Sequence, residues 1–556
     1  MLLKSKKAFV GTSLALALAL TGCANKTSPE PGHSPGDSKE PTETTDTGKG
    51  NEVIEVSTVS PSDPYLKFDE GESFDKNAVY DAYEKDVGVK ITNKWIADIT
   101  QFKEKVKITI ASDDLPDFLL VNATQLKELT EADMIMDLTE IYDQHATEET
   151  KKFLTMDGGM QMKTAMIDGK MMGIPSSYNP FDFQNLYVRT DWLKELNLPE
   201  PKTMDDVFKI AEAFKEKNLG GAKEAFGISI SKNPFSIETG VTGLRAFLNG
   251  YHAYENIWLE DGNGGLMNSD IQPEMKQALA ALQEMFKKGL IDPEFSVKDP
   301  EKAAELLYDG SIGMVFGASW APAQLVKGAV KDGKVVQEWG VFPIPSVDHK
   351  PTLNQIGLGV DEYYVVSAKA KHPEGVIRLL NQWIVVDNHP TEEQKVYGLG
   401  KDRVEKGNNY WLLNPLRVSR QINNNGEILP KAIENKDESI LETTDQKRRY
   451  EGAMQYVNGD ASLWWEYMIS GPKGAYSHIP EIQKNKQYLR NKFYGAPTPA
   501  MADRQELLTK KRDEIFFKII MNQVSVDEFD KFVEEWKKLG GDEITKEVNE
   551  WYKSLK

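Results

Sequence analysis

Val53-Ile54-Glu55-Val56-Ser57-Thr58-Val59 alternates apolar and polar side chains, the period of a strand with one buried face. Residues 74–86, FDKNAVYDAYEKD, follow as a helix, and Val89-Lys90-Ile91-Thr92-Asn93-Lys94-Trp95 reads as a second strand. Phe102, Val106 and Ile110 recur every four residues and predict another helix. The turn Asp113-Asp114-Leu115-Pro116 leads into a short apolar strand from Asp117 to Val121. Strands that alternate with helices build a parallel sheet with crossover helices, so the expected class is α/β.

Helices dominate further along. Thr203 with Asp206 marks a helix start, and Val207, Ile210, Ala211 and Phe214 share one face. Pro273 opens a helix carrying Met275, Leu279, Leu282 and Phe286, and Gly289 closes it. Ser525 and Glu528 have capping-box spacing before Phe529, Phe532, Val533 and Trp536. Aromatics at that spacing are read as core.

The chain has 556 residues, which suggests two or more lobes. Its 67 basic and 86 acidic side chains leave a net charge of −19, against the basic face that nucleic acid requires. A single cysteine excludes an internal disulfide and any zinc site built on several thiolates.

That cysteine has a place in the first segment, MLLKSKKAFVGTSLALALALTGC. Lys4, Lys6 and Lys7 precede an apolar run from Ala8 to Leu20, which is the pattern of a secretory signal. Leu20-Thr21-Gly22-Cys23 resembles the bacterial lipobox, which implies cleavage after residue 22 and acylation of the Cys23 thiol. Two or three acyl chains anchor a protein to a membrane stably. Residues 24–52 contain no Leu, Ile, Val or aromatic side chain, so they are expected to be a disordered tether.

Motifs of catalysis are missing. No two of the seven histidines stand at i, i+4, and there is no His-Glu-x-x-His, G-x-S-x-G, P-loop or dinucleotide fingerprint. Asp261-Gly262-Asn263-Gly264-Gly265 has the look of a calcium loop but lacks the closing bidentate Glu, so a tight turn is expected. Paired carboxylates for glycoside hydrolysis stay open, because sequence gives no separation between them. Trp95, Trp258, Trp320, Trp411, Trp464, Trp465 and Tyr467 lie among Asn, Asp and Gly. Aromatic rings suit the apolar faces of sugars, and the polar residues around them suit the hydroxyls.

Several motifs then occur in a familiar order. Ser112-Asp113-Asp114-Leu115-Pro116-Asp117 is followed by Asp168-Gly169-Lys170-Met171-Met172-Gly173-Ile174-Pro175 and by Tyr187-Val188-Arg189-Thr190-Asp191-Trp192-Leu193. Gly289-Leu290-Ile291-Asp292-Pro293-Glu294-Phe295, Gly317-Ala318-Ser319-Trp320, Phe342-Pro343-Ile344-Pro345, His372-Pro373-Glu374 and Gly495-Ala496-Pro497-Thr498-Pro499 come next. Together with the lipobox they resemble the extracellular solute-binding lipoproteins of carbohydrate ABC importers, in particular the large oligosaccharide- and uronate-type subgroup. Two departures stand out. Met172 replaces the usual aromatic of the hairpin. Lys217 to Glu224 lacks the acidic ligands with which some members hold calcium, so no metal and no cofactor is expected.

The resemblance implies an α/β, two-lobed periplasmic-binding-protein-like (type II) fold with a hinge and an interlobe cleft. The lobes are expected at 53–184 plus 341–367 and at 185–340 plus 368–556. It implies capture of a carbohydrate, delivery to membrane permease subunits, and no catalytic step. Expected ligand contacts are Ser60 and Asp63 after the first strand, Asn122 and Thr124 after the third, and Tyr178 and Asp182 at the first crossing. Trp320 is the foremost stacking candidate, with Trp464 and Trp465 behind it on a Trp-Trp-Glu-Tyr helix where one is expected to face the core and the other the cleft. Arg189 is read as a structural ion pair with Asp191. The alternatives are a non-sugar solute or sensor input on the same fold, and a secreted carbohydrate-active enzyme.

Overall fold

The computed structural model describes residues 53–235, 240–388, 396–397, 408–420 and 423–555. The expected signal sequence, Cys23 and tether lie outside the described residues.

In chain order the elements used below are β1 (Ile54–Ser62), α1 (Ala78–Val87), β2 (Val89–Asp98), α2 (Ile99–Ala111), β3 (Phe118–Asn122), α3 (Ala123–Glu131) and β4 (Ile174–Ser177). There follow β5 (Asn185–Arg189), α4 (Met204–Lys217), α5 (Pro273–Lys287), β6 (Met314–Gly317), α6 (Pro322–Ala329), β7 (Trp339–Phe342), β8 (Asn354–Ile356), β9 (Val360–Val366) and α7 (Glu374–Asn388). The last part contains α8 (Asn425–Asn435), α9 (Thr444–Val457), α10 (Trp464–Ser470), β10 (Tyr488–Arg490), α11 (Pro499–Ile520), α12 (Glu528–Trp536) and α13 (Asp542–Ser554).

Local chemistry sets the first elements. The Asn77 side chain accepts from the Tyr80 N–H and starts α1, and Gly88 ends it in the left-handed conformation at φ 67°. That helix is the crossover that lets β1 and β2 pair in parallel, from Ile54 opposite Val89 to Ser62 opposite Asp98. The rest of the first sheet departs from the parallel expectation. β9 lies between β3 and β4 and runs antiparallel to both. Its chain arrives from the other lobe, without a helix crossover of its own, so no rule forces it to be parallel. In the second lobe β5 is flanked by β6 and β7, both antiparallel to it.

Each lobe has its own core. Val56, Ile91 and Phe118 share one with Val376, Ile377, Leu380 and Ile384 of α7 and with Tyr410, Leu413 and Val418. The Trp383 indole N–H donates to the Val418 carbonyl at 2.6 Å within that core. Residues 374–388 and 410–418 therefore pack in the first lobe, whereas they were expected in the second. The apolar stripe of α7 predicts a buried helix but not which sheet it covers. The second core joins β5 and β6 to α4, α5, α11 and α12, including Phe529, Phe532 and Trp536. Thr203 and Asp206 form the capping box of α4 as read. The Ser525 hydroxyl instead accepts from the Asp527 N–H at 3.2 Å, one residue short of a box with Glu528.

Phe181, Phe183, Ile356, Ile479 and Ile482 form a further small apolar cluster. Tyr488 stands edge-on to Phe181 with ring centroids 5.2 Å apart. Among the described residues no helix is long and apolar enough to cross a membrane.

Candidate functional site

Strand β6 ends in Gly317, and the turn Ala318-Ser319-Trp320 follows. Two side chains from the crossing region and β5 fix that turn. The buried Tyr187 hydroxyl donates to the Ala318 carbonyl at 2.7 Å. The Asp182 carboxylate accepts from the Ser319 N–H at 3.2 Å and from the Ser319 hydroxyl, with the Trp320 side chain nearby. Burial raises the Asp182 pKa, and these hydrogen bonds with the nearby Arg449 charge recover only part of the shift. Trp320 keeps 37% of its surface exposed. Its ring tip lies where a Cβ on residue 240 would stand, at 2.7 Å, and Gly240 has φ +61°, so glycine serves both the turn and the close approach.

Behind Asp182 stands a charged cluster from the helices of 423–476. Thr443 and Gln446 form the capping box of α9. Gln446 Nε2 also donates to Asn424 Oδ1 at 2.7 Å, joining α9 to the start of α8. Arg449 Nε donates to Asp445 at 2.9 Å, and Arg449 Nη1 to the buried Glu466 at 3.0 Å. The guanidinium lies 5.4 Å from the Tyr476 ring centroid. Burial raises the Asp445 pKa, but Arg449 and Arg448 outweigh it and the net shift is downward. The Tyr476 phenol is pushed up to about 12, first by burial.

Asn424, Asp445 and Gln446 of this cluster line a polar cavity of about 460 Å³, together with Asn179, Arg420 and Arg448 among others. A second cavity of about 470 Å³ shares Arg420, Asn423 and Asn424 with it. Asp387 also lines the first cavity, and its pKa is pushed up to about 6 by burial and by Asp445, against the pull of Arg420. Amides paired with charged forks present donors and acceptors at fixed directions, which suits a hydroxyl-rich ligand.

The expected contacts divide. Asp182 and Trp320 are brought together. Tyr178 stands at the crossing, its N–H donating to the Gly359 carbonyl at 2.8 Å and its phenol beside Asp361. The Ser60 hydroxyl donates to Asn93 Oδ1 at 2.6 Å, and Asp63 accepts from the Tyr65 N–H at 2.8 Å in a local turn. Asn122 caps α3 in a box with Gln125, and Thr124 is exposed in the first turn of that helix. Trp464 is a correction: at 3% exposure it belongs to the core with Val315 and Leu325, because α10 packs that face onto α6. Trp465 is half-buried against the same core. Arg189 pairs with Asp191 at 2.6 Å as read. Asp261 Oδ1 accepts from the Asn263 and Gly265 N–H groups, which makes that loop a tight turn.

Arg449, Asp445, Gln446, Asn424 and Tyr476 were not expected. The signals available were the run Asn423-Asn424-Asn425, the pair Arg448-Arg449 and the Thr443/Gln446 box spacing.

The sequence profile described as bacterial extracellular solute-binding protein matches residues 68–383. A polygalacturonan/rhamnogalacturonan-binding protein, YtcQ of Bacillus subtilis (strain 168), is 22% identical over 399 residues, 71% of this chain and 72% of that protein. Lipoprotein LipO of Bacillus subtilis (strain 168) is 24% identical over 515 residues, covering 87% and 90% of the two chains. The solved structure of a solute-binding protein from Bifidobacterium longum infantis ATCC 15697, described as HMO-binding and ABC-transporter associated, superposes with a TM-score of 0.61 at 17% identity, over 91% of this chain and 99% of that one. At that identity the likeness concerns the fold.

Proposed function

The chain belongs to the family of bacterial extracellular solute-binding proteins, and on that premise we propose that it captures a carbohydrate, an oligosaccharide, between its lobes and delivers it to the permease of an ABC importer. The observation that carries this reading is the Asp182–Trp320 arrangement. A half-buried carboxylate holds the turn that carries an indole, and the face of that indole is open to solvent. An aromatic face with fixed polar groups beside it matches a sugar's apolar face and hydroxyl edges. The name of the polygalacturonan-binding relative supports the same class of ligand.

Capture of this kind needs no covalent step. Ligand held by both lobes favours the closed state over the open one, and the apolar cluster of Phe181, Phe183 and Ile356 beside the first crossing is the pivot this reading expects. Delivery follows when the permease recognises the closed form. We further propose that Cys23 carries the lipid that holds the chain at the outer face of the cell membrane. The signal pattern and the relative named as a lipoprotein support it.

Calorimetric titration of the purified protein with a panel of oligosaccharides, amino acids and peptides tests the reading. Saturable heat with one or more saccharides is expected. A response confined to amino acids or peptides would contradict it.

A further inference from the structure

Asp157 lies in the loop after Phe153 and Leu154, two side chains of the first core. Its Oδ1 accepts from the Met160 N–H and its Oδ2 from the Gln161 N–H, each at 3.0 Å. The carboxylate is fully buried. Gln161, buried as well, donates from Nε2 to the Tyr178 carbonyl at 3.0 Å, and the Tyr178 N–H donates to the Gly359 carbonyl at 2.8 Å. The loop is thus tied to both chain crossings, the one after β4 and the one before β9.

Arg490 comes from the other side. It ends β10, which pairs with β8 so that Arg490 stands opposite Ile356. The next two residues are locked to the second lobe. Asn491 Oδ1 accepts from the Trp258 N–H at 2.9 Å, and the Lys492 N–H donates to the Trp258 carbonyl at 2.9 Å. Trp258 belongs to the second core. The Arg490 guanidinium lies over Phe181, 5.1 Å from the ring centroid. The residue after Phe181 is Asp182, which holds the turn of Trp320.

Arg490 Nη1 stands 3.8 Å from Asp157 Oδ2, so the charges attract without a hydrogen bond. A seated guanidinium–carboxylate pair brings these atoms to about 2.7–2.9 Å. Arg490 Nε is buried with no acceptor. Burial pulls the Arg490 pKa down, and the Asp157 charge recovers only part of the shift. The pair is half-made in this conformer. Because the Asp157 loop is tied down, the missing approach of about an ångström falls to Arg490, and so to the second lobe.

We propose that Asp157 and Arg490 form a latch across the lobes, half-made at the lobe angle seen here and completed by a small rotation of the second lobe. Completing it compensates a buried cation, so one lobe angle is favoured over its neighbours before any ligand is present. Arg490 rests on Phe181, so the same movement reaches Asp182 and the Trp320 turn. The latch acts on the lobes and not on the ligand, and it holds whether or not the ligand is a saccharide.

Interlobe distances from double electron–electron resonance test it. The whole purified protein carries Cys23→Ser, with spin labels attached at Lys85→Cys on α1 and Lys217→Cys on α4, both exposed positions. Asp157→Asn removes the carboxylate charge, and Arg490→Gln removes the cation. Each is expected to shift the ratio of lobe-angle populations by about tenfold, and the double variant to shift it no further. If Asp157→Asn lowers the melting temperature, Arg490→Gln is read against Arg490→Lys, which keeps the charge and the parent distribution. Identical distributions in the parent and both single variants overturn the latch. Shifts that add in the double variant also overturn it, because the two residues then act separately. The measurement uses no saccharide, so its outcome is independent of the calorimetric titration above.

Discussion

The Asp182 carboxylate accepts the Ser319 N–H across 3.2 Å and 137 positions of sequence, tying the first crossing between the lobes to the turn that presents Trp320. A half-buried acceptor that faces both the N–H and the hydroxyl of Ser319 leaves that turn little freedom. The indole is therefore oriented before any ligand arrives, which lowers the entropy lost on binding.

Trp320→Ala removes the open aromatic face and leaves the turn's backbone contacts in place. Saccharide binding is expected to weaken by ~1–3 kcal/mol while the melting temperature stays close to that of the parent. Calorimetry and a thermal melt on the same preparation read both. Unchanged affinity would remove Trp320 from the site.

Arg449→Met takes the cation from between Asp445 and Glu466, of which Glu466 is 1% exposed. Breaking a buried pair by removing one partner costs about 3–5 kcal/mol, because the remaining charge is left uncompensated. Arg448 reaches the same Glu466 at 3.6 Å, so the lower end of that range is expected. Urea unfolding measures it.

Asp387 supplies a pH dependence. Its carboxyl is pushed up to about 6 from 3.8, so the folded state holds this proton more tightly than the unfolded chain does. The resulting stability is fully present below pH 3.8 and is lost as pH rises through about 6. The difference amounts to roughly 2–3 kcal/mol. Unfolding free energies from urea titrations at pH 4 and pH 7 are expected to differ by that much more in the parent than in Asp387→Asn. Identical pH dependence in the two proteins would rule out the shift.

Cys23→Ser removes the thiol that would be acylated. In cells the variant is expected in the soluble fraction or medium, and the parent in the membrane pellet. Continued pelleting of the variant would count against lipid attachment.

The α/β order of residues 53–121 is legible because each period change coincides with a local stop signal, such as Gly88 or Pro116. Trp320 and Asp182 are legible from the Gly317-Ala318-Ser319-Trp320 motif and from the crossing position. The partnership between them is not, since it closes over more than a hundred residues. The Arg449 cluster is harder still. Its members are charged and amide residues on helices, and sequence spacing does not separate a solvated face from one turned toward a cleft. Trp464 and Trp465 show the same gap from the other side: adjacent indoles on one short helix both serve the core. The membership of α7 and Val418 in the first lobe needs the return of the chain through β8 and β9, which periodicity does not report.

Titration calorimetry of the purified protein against an oligosaccharide panel, run in parallel on Trp320→Ala, bears most directly on carbohydrate capture between the lobes. Saturable one-to-one binding of a saccharide by the parent, weakened in the variant, is the predicted result. Absence of heat with every saccharide, alongside a thermal shift with amino acids or peptides, would contradict it.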